Sequence, residues 1–538
     1  MEAPPADMYE FSVDWTKAFE NEDFVKTFAS EILERYILKK RWYAGKASTL
    51  KYIEIIRHIK LNSKRNHFYG VLIEVNFKEA FFQNYFIPIG FIHHEEIETN
   101  TLIAPAKFNK QVGYLVDALH IEDFRKLLFE HIVEKNRTAL PNIIFHKSEL
   151  AGMIKYDTSR FLGAEQSNTS IVFNEKYVLK FFRRIYLNSN PDYEINRFLT
   201  EKQQFKNTPA YVGSINILDE EKEVITLGLM QELIPNQGDA WVYFLKEIEQ
   251  LFKTFDQKKL KLQNLPDTPL YERIKIQQIP AEIIDWVGLN LFLKVEKLAL
   301  RTAEMHICLG SDSQDTAFTP THYNGDYSVW LKNRMLYQFQ NRLNTIENNL
   351  HKLDEATLSI ARTFLDSKKI VRKRFVDFDW TALKSERIRV HGDYHLGQVL
   401  VTDGDFYILD FEGEPESTIR DRKVKQTPLK DVAGMFRSFH YAIYSVLLTK
   451  KEQFKADEKT RFELGERLYR YLIGVFLETY INKVESKNLN IGYQSEILFL
   501  LKYFLLEKAV YELGYEMNSR PQWAMIPLKG ILRILNHQ

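Results

Sequence analysis

A change of pattern near Pro235 constrains the fold of this chain more than any other feature. Before it, residues 161–232 read as short strands: Ile171-Val172-Phe173, residues 177–182 and residues 224–230 are rich in β-branched and aromatic side chains. After it come long amphipathic stretches with apolar residues at helical spacing, at 240–255, 289–308, 330–350 and 459–481. A strand-rich part followed by a helical part predicts an α+β chain with two unlike lobes. Farther upstream, a helical pattern at 24–38 and strand-like runs at 52–59, 68–75 and 84–89 predict a small α+β domain. Residues 101–150 read as a connector of mixed structure, with a helical pattern near 121–133 and a turn at Leu140-Pro141-Asn142. The expected organisation is a cap domain over 1–100, a connecting subdomain over 101–150, a β-rich lobe over 151–235 and a helical lobe over 236–538.

Composition narrows the function classes. With 538 residues, 45% of them hydrophobic, the chain can bury a large core, which suits two or three domains. Lys and Arg number 73 against 72 Asp and Glu, so no excess charge draws the chain to nucleic acid or an anionic membrane, and small-molecule chemistry is favoured. The lone cysteine, Cys308, excludes an intrachain disulfide and suggests no zinc-thiolate site. Residues 1–7 lack the charged flank and apolar stretch of a secretory signal, and the apolar run 497–506, interrupted by Lys502, falls short of the roughly 18–20 residues that span a bilayer. A cytoplasmic location is expected.

The densest chemistry lies in a β-rich island inside the helical part, residues 388–411. A short strand enters the loop His391-Gly392-Asp393-Tyr394-His395-Leu396-Gly397-Gln398, a hairpin turn is expected at Asp403-Gly404, and a returning strand ends in Asp410-Phe411-Glu412. Asp393 precedes Gln398 by five residues and Asp410 by seventeen. Protein kinases place a base Asp, a metal-binding Asn and a second metal-binding Asp at nearly these offsets. Phosphoryl transfer needs such a set, because an oriented acceptor hydroxyl and a cation clamp supply most of the catalysis. Asp393 suits the base, and Gln398 and Asp410 suit Mg2+, the glutamine amide oxygen standing one methylene farther out than that of asparagine. Glu412 is a further candidate, for metal or for substrate. The competing reading is a surface hairpin with solvated acids.

A kinase-like reading asks for an upstream lysine and glutamate. Lys180 interrupts an otherwise apolar strand, where a charge is costly without an anionic partner; an edge-strand lysine is the alternative. The next helix is expected to start with Asn190 as N-cap and Pro191 as its first residue, and Glu194 is the candidate partner of Lys180. Ahead of the strand, residues 163–170, with Ser167, Asn168, Thr169 and Ser170, lack a Gly-x-Gly-x-x-Gly pattern. Their amides and hydroxyls suit a phosphate cover, although a polar hairpin turn is the simpler account. Gln231, Glu232 and Leu233 stand where kinases read adenine with main-chain groups.

These residues resemble the bacterial maltokinases, a family with an aminoglycoside-phosphotransferase-type, kinase-like fold that also occurs fused behind trehalose synthase. The resemblance is carried by Arg41-Trp42-Tyr43-Ala44-Gly45-Lys46, Glu165-Gln166-Ser167-Asn168-Thr169-Ser170, Asn190-Pro191-Asp192-Tyr193-Glu194 and Gln231-Glu232-Leu233-Ile234-Pro235-Asn236-Gln237-Gly238-Asp239. It continues through Arg301-Thr302-Ala303-Glu304-Met305-His306, the island, Pro428-Leu429-Lys430-Asp431-Val432-Ala433-Gly434-Met435 and residues 507–532, covering nearly the whole length. It departs from the family at His440, where an acid is expected. The resemblance implies a bilobal kinase-like fold behind a cap domain, ATP and Mg2+ as cofactors, maltose as substrate, maltose 1-phosphate as product and a functional association with trehalose synthase. Sugar contacts are expected from His395, Tyr511, Glu512, Tyr515, Glu516, Asn518, Arg520 and Trp523, beside Asp393. The alternatives are the same fold acting on another hydroxyl compound, such as glucosamine or an aminoglycoside, and a silent kinase-like binding module.

Overall fold

The computed structural model describes residues 8–93, 101–134, 142–163, 167–378, 380–487 and 489–536. Residues 1–7, the Leu140-Pro141 half of the expected turn, and Glu165-Gln166 lie outside them. The chain divides into two compact units, residues 1–204 with 209–234, and residues 205–208 with 235–538.

Among the described residues, the first unit holds two sheets. A seven-stranded sheet runs in the order Tyr9–Phe11, Leu102–Phe108, Gln111–Asp117, Phe82–Ile92, His67–Phe77 and Leu50–Asn62, with Arg184–Ile185 added alongside Phe82–Ile92. A six-stranded sheet runs Ile143–Lys147, Tyr211–Leu218, Val224–Glu232, Tyr177–Phe182, Asn168–Phe173 and Ser159–Phe161. The stretch read as a connector therefore contributes two strands to the first sheet and the helix Glu122–Val133. That helix packs Phe124, Leu127, Phe129 and Ile132 into a core shared by Leu61, Phe68 and Phe86 of the first sheet and Ile171, Leu179 and Leu229 of the second. A separate aromatic core, with Trp15, Phe24, Phe28, Trp42 and Tyr69, involves the first sheet alone.

The helix after Tyr177–Phe182 begins as its sequence dictates. Asn190 accepts a hydrogen bond from the Asp192 amide, and Pro191, which has no N–H to leave unsatisfied, takes the first turn.

The second unit is helical around a small β element. Its long helices are Ala240–Gln257, Leu289–Leu309, Gly325–Asn349, Leu429–Thr449, Glu458–Glu485 and Gln494–Ser519. The helix Leu429–Thr449 is buried on nearly every side, which is why its apolar residues run almost without interruption. Val399–Val401 and Phe406–Ile408 form the expected hairpin. The segment 205–208 lies against it, with the Ile408 amide donating to the Asn207 carbonyl at 2.8 Å and the Asn207 amide side chain donating to the Phe406 carbonyl at 2.9 Å. On the entering side regular strand is shorter than expected: Glu386–Arg387 pairs with Thr321–His322, and Ile388 makes only an isolated bridge to Gln426. Asp393 therefore stands in a loop, whereas Asp410 follows a strand directly.

Candidate active site

The loop that carries Asp393 is fixed by one stripe of the helix Leu429–Thr449. Asp431, wholly buried, accepts from the amides of His391 at 2.7 Å and Gly392 at 2.9 Å. One turn on, Gly434 lets the helix backbone meet the loop: a Cβ there would stand 2.6 Å from the Tyr394 carbonyl oxygen. One more turn on, Ser438 Oγ accepts from the Leu396 amide at 3.0 Å. Positions 431, 434 and 438 share a helix face, so a single helix sets the path of the loop.

The segment from Arg301 to His306 secures the same region. Arg301 grips Asp405 of the hairpin with two hydrogen bonds of 2.8 and 2.6 Å, Thr302 Oγ1 meets the Tyr394 hydroxyl at 2.9 Å, and His306 Nε2 reaches Asp431 Oδ2 at 3.0 Å. Burial would push the Asp431 carboxyl up, but His306 and the loop amides hold it below the usual carboxylate range.

Asp393, Gln398 and Asp410 are brought together by backbone links. His391 Nε2 donates to the Leu409 carbonyl at 2.7 Å, and the Leu409 amide donates to the Gln398 carbonyl at 2.9 Å. Asp410 adopts a left-handed conformation with φ of 60°, uncommon outside glycine, asparagine and aspartate and concentrated at functional sites. Gly392, also left-handed, is packed so closely on the turn after Asp410 that a Cβ on it would lie 3.1 Å from Gly413 Cα. An amide oxygen and a carboxylate on backbone neighbours suit Mg2+, which takes one or two protein oxygens and fills its other positions from phosphates and water. Among the described residues no group of three or more His, Cys, Asp or Glu side chains could hold a metal. Glu412 is half-buried, and its carbonyl accepts from Arg422.

Lys508 is the functional residue that sequence reasoning missed. Its Nζ donates to Asp393 Oδ1 at 2.8 Å, with both side chains largely buried. Burial alone would raise the Asp393 pKa, but Lys508 and His395 hold it below the usual carboxylate range, and Asp393 in turn raises that of Lys508. His395 accepts the Gly397 amide at Nδ1, which leaves Nε2 to carry its proton 4.0 Å from Asp393 Oδ2. Burial lowers the His395 pKa. Behind the loop, Arg334 donates to Glu414 at 2.6 Å, and Lys430 lies 3.6 Å from both Glu414 and Glu507. A lysine within the apolar helical run after Tyr503 was the available signal for Lys508, and an aspartate in an apolar helix was that for Asp431.

The expected sugar contacts fall on one ridge. Lys508, Tyr511, Glu512, Tyr515 and Glu516 recur at spacings of three and four along Gln494–Ser519. Two of the acids are strongly engaged. Glu512 accepts from Arg437 at 2.8 Å, and Glu516 accepts from Arg520 at 2.8 and 3.0 Å. Burial raises the pKa of both. Tyr515 is 48% exposed, and Arg520 stacks 4.5 Å from the centre of the Trp523 ring. Asn518 sits in the last turn of the helix. His440, buried, has Arg437 3.1 Å from one ring nitrogen and Arg533 3.0 Å from the other, of which the neutral imidazole accepts from one, and burial drives its pKa well down.

In the first unit the structure places the remaining candidates. Lys180 pairs with Asp192, whose carboxylate is wholly buried, at 2.9 Å, while Glu194 accepts from Ser189 Oγ. Two residues apart on a helix is about 200°, so Asp192 and Glu194 face opposite ways. Thr169 lies across from Phe181, whereas Ser170 lies across from Lys180 and Asn168 from Phe182. Side chains alternate along a strand, so Asn168 and Ser170 share the Lys180 face, and Thr169 points into the interior. Ser167 is exposed just before the strand. Finally, Gln231 is buried, the Glu232 amide donates to the Ala210 carbonyl, and the Leu233 amide donates to the Lys176 carbonyl. These two N–H groups are committed to the sheet and not to a base.

Two curated relatives are similar to the chain. Glucosamine kinase of Streptacidiphilus jiangxiensis is 21% identical over 409 residues, 74% of this chain and 78% of its own. Glucosamine kinase of Mycolicibacterium smegmatis is 30% identical over 148 residues, 27% of this chain and 34% of its own. A glucosamine kinase solved in complex with glucosamine, ADP and inorganic phosphate superposes with a TM-score of 0.60 at 14% identity, over 93% of this chain and 98% of that one. The fold is kinase-like. No protein-family model matches the chain. Among the described residues no helix is long and apolar enough to cross a membrane.

Two outcomes follow from the pinned loop and its lysine. Asp431→Asn removes an acceptor from buried amides, and it is expected to lower stability by about 1–3 kcal/mol, read as a reduced urea midpoint. A base must be ionised to act, so if Asp393 is the base, activity is expected to fall as pH drops through its pKa. With Lys508 in place that limb lies below the usual carboxylate range. In Lys508→Met burial dominates, and the acid limb of kcat/KM is expected to move to higher pH.

Proposed function

We propose that the chain is an ATP-dependent sugar kinase that phosphorylates maltose at its anomeric hydroxyl, giving maltose 1-phosphate and ADP. The observation that carries this reading is the Asp393 carboxylate, held ionised 2.8 Å from Lys508 on a loop fixed by Asp431 and backbone-linked to Gln398 and Asp410. In this reading Asp393 accepts the acceptor hydroxyl's hydrogen bond and takes its proton as the oxygen bonds to the transferred phosphoryl group. Lys508 fixes the carboxylate that does so. Gln398 and Asp410 hold Mg2+, and Lys180, oriented by Asp192, meets the nucleotide phosphates, with Asn168 and Ser170 on the same strand face. Bound with ATP, Mg2+ neutralises charge on the phosphoryl oxygens.

The relatives are glucosamine kinases, so the acceptor needs its own argument. The ridge from Lys508 to Trp523 extends over several helical turns, and its aromatic faces and hydrogen-bonding groups suit a sugar of more than one ring.

An acceptor panel with Mg-ATP tests this. Maltose is consumed, methyl maltoside and trehalose, whose anomeric positions are blocked, bind without reacting, and glucose is poor because it forfeits second-ring contacts. A tenfold kcat/KM preference for glucosamine, about 1.4 kcal/mol of transition-state discrimination, would overturn the maltose assignment and leave the kinase assignment standing. Asp393→Asn is expected to lower turnover roughly 100-fold to 10,000-fold with nucleotide binding intact. Asp410→Ala is expected to abolish the Mg2+ dependence of nucleotide binding in calorimetry, and chelation of Mg2+ to stop turnover of the parent enzyme.

A further inference from the structure

The strand that bears Lys180 belongs to one sheet, and its continuation belongs to the other. Tyr177–Phe182 lies in the six-stranded sheet, while Arg184–Ile185 pairs with Tyr85 and Asn84 of the seven-stranded one. Arg183 is the elbow between them and is wholly buried.

Its guanidinium reaches both sides. Nη2 lies 2.6 Å from Asp117 Oδ2, at the end of a strand of the seven-stranded sheet, and Nε donates to Thr169 Oγ1 at 2.8 Å. The guanidinium lies 5.5 Å from the centre of the Trp42 ring and 5.8 Å from that of Phe181. Asp117 also accepts from the Tyr36 hydroxyl at 3.0 Å and the Leu119 amide at 3.1 Å, so its carboxylate is held from three directions. Burial would raise the Asp117 pKa, but Arg183 and His120 keep it low.

A buried ion pair of this kind is a weak source of stability compared with apolar residues of the same volume, and its best-attested use is to specify geometry. Arginine suits that use, since its planar fork fixes the angle between two acceptors where lysine offers a point charge. The acceptors are informative. Asp117 belongs to the N-terminal sheet, whereas Thr169 sits on the strand whose neighbouring residues, Asn168 and Ser170, share the face of Lys180.

We propose that Arg183 is a positioning residue through which the N-terminal sheet, by way of Asp117, holds the strand Asn168–Phe173 in the register that nucleotide phosphates require. The role of the N-terminal sheet is then to preorganise the phosphate-covering strand from beneath. The inference rests on the nucleotide-binding reading above.

Calorimetry of the full-length chain with Mg2+ and a non-hydrolysable ATP analogue separates the two. No binding by the parent chain sinks the nucleotide reading itself. If the parent binds, Thr169→Val, which removes the hydroxyl but keeps the shape, is expected to weaken the analogue about fivefold to tenfold. Thr169→Ser, which keeps the hydroxyl, restores the parent affinity. Asp117→Asn weakens binding similarly, and the pair Asp117→Asn with Thr169→Val is no worse than about the poorer single variant, because both break one chain of contacts. Amides of residues 168–173 exchange faster with solvent in Thr169→Val than in Thr169→Ser. Should Asp117→Asn not fold, the Val and Ser variants carry the test alone. Analogue affinity in a folded Thr169→Val within twofold of the parent overturns the proposal, as does equal loss in Thr169→Ser.

Discussion

Everything at the candidate site depends on one buried carboxylate. Asp431 leaves water to accept two amides of the loop that presents Asp393, and His306 supplies the donor on its other side. A carboxylate so buried is tolerated only when its lone pairs are filled, and filling them with backbone N–H groups makes the position of the loop a condition of the stability of the helix. Gly434 and Ser438 extend the same demand along the helix face, and Arg301 and Thr302 apply it from a second helix. Precise placement of the base is thereby drawn from helices, which move less than the loop itself would.

The charges around Asp393 follow from the same economy of water. Lys508, Arg334 and Lys430 are set among Asp393, Glu414 and Glu507, so that each buried charge has an opposite neighbour. Such an arrangement stabilises little on its own, and removing one member strands the others. Its chemical consequence is local: the Asp393 carboxylate stays ionised.

The N-terminal residues are joined to the nucleotide-facing strands by a common core, and not by a linker. Leu61, Phe68 and Phe86 of one sheet meet Ile171, Leu179 and Leu229 of the other through the helix Glu122–Val133. Within this apolar contact Arg183 and Asp117 form a polar point of fixed geometry. Apolar packing alone would tolerate small slips of one sheet on the other, whereas a planar guanidinium held by Asp117 on one side and Thr169 on the other has one good arrangement.

Much of this was legible in the order of residues. Periodicity announced the strands and helices, and the cap at Asn190-Pro191 formed as its chemistry requires, because these signals concern neighbours along the chain. Two strands between residues 102 and 117 were harder to read, since their pairing with residues 82–92 and 9–11 depends on partners elsewhere in sequence. The spacing of Asp393, Gln398 and Asp410 placed them on one hairpin and the loop that enters it. It could not show that Lys508, 115 residues later, supplies the counter-charge, that Asp431 anchors the loop, or that Asp192 meets Lys180. Those choices were made when helices and strands took up their rotations about their own axes. A residue's neighbours across a core are set by that rotation, to which spacing along the chain is blind.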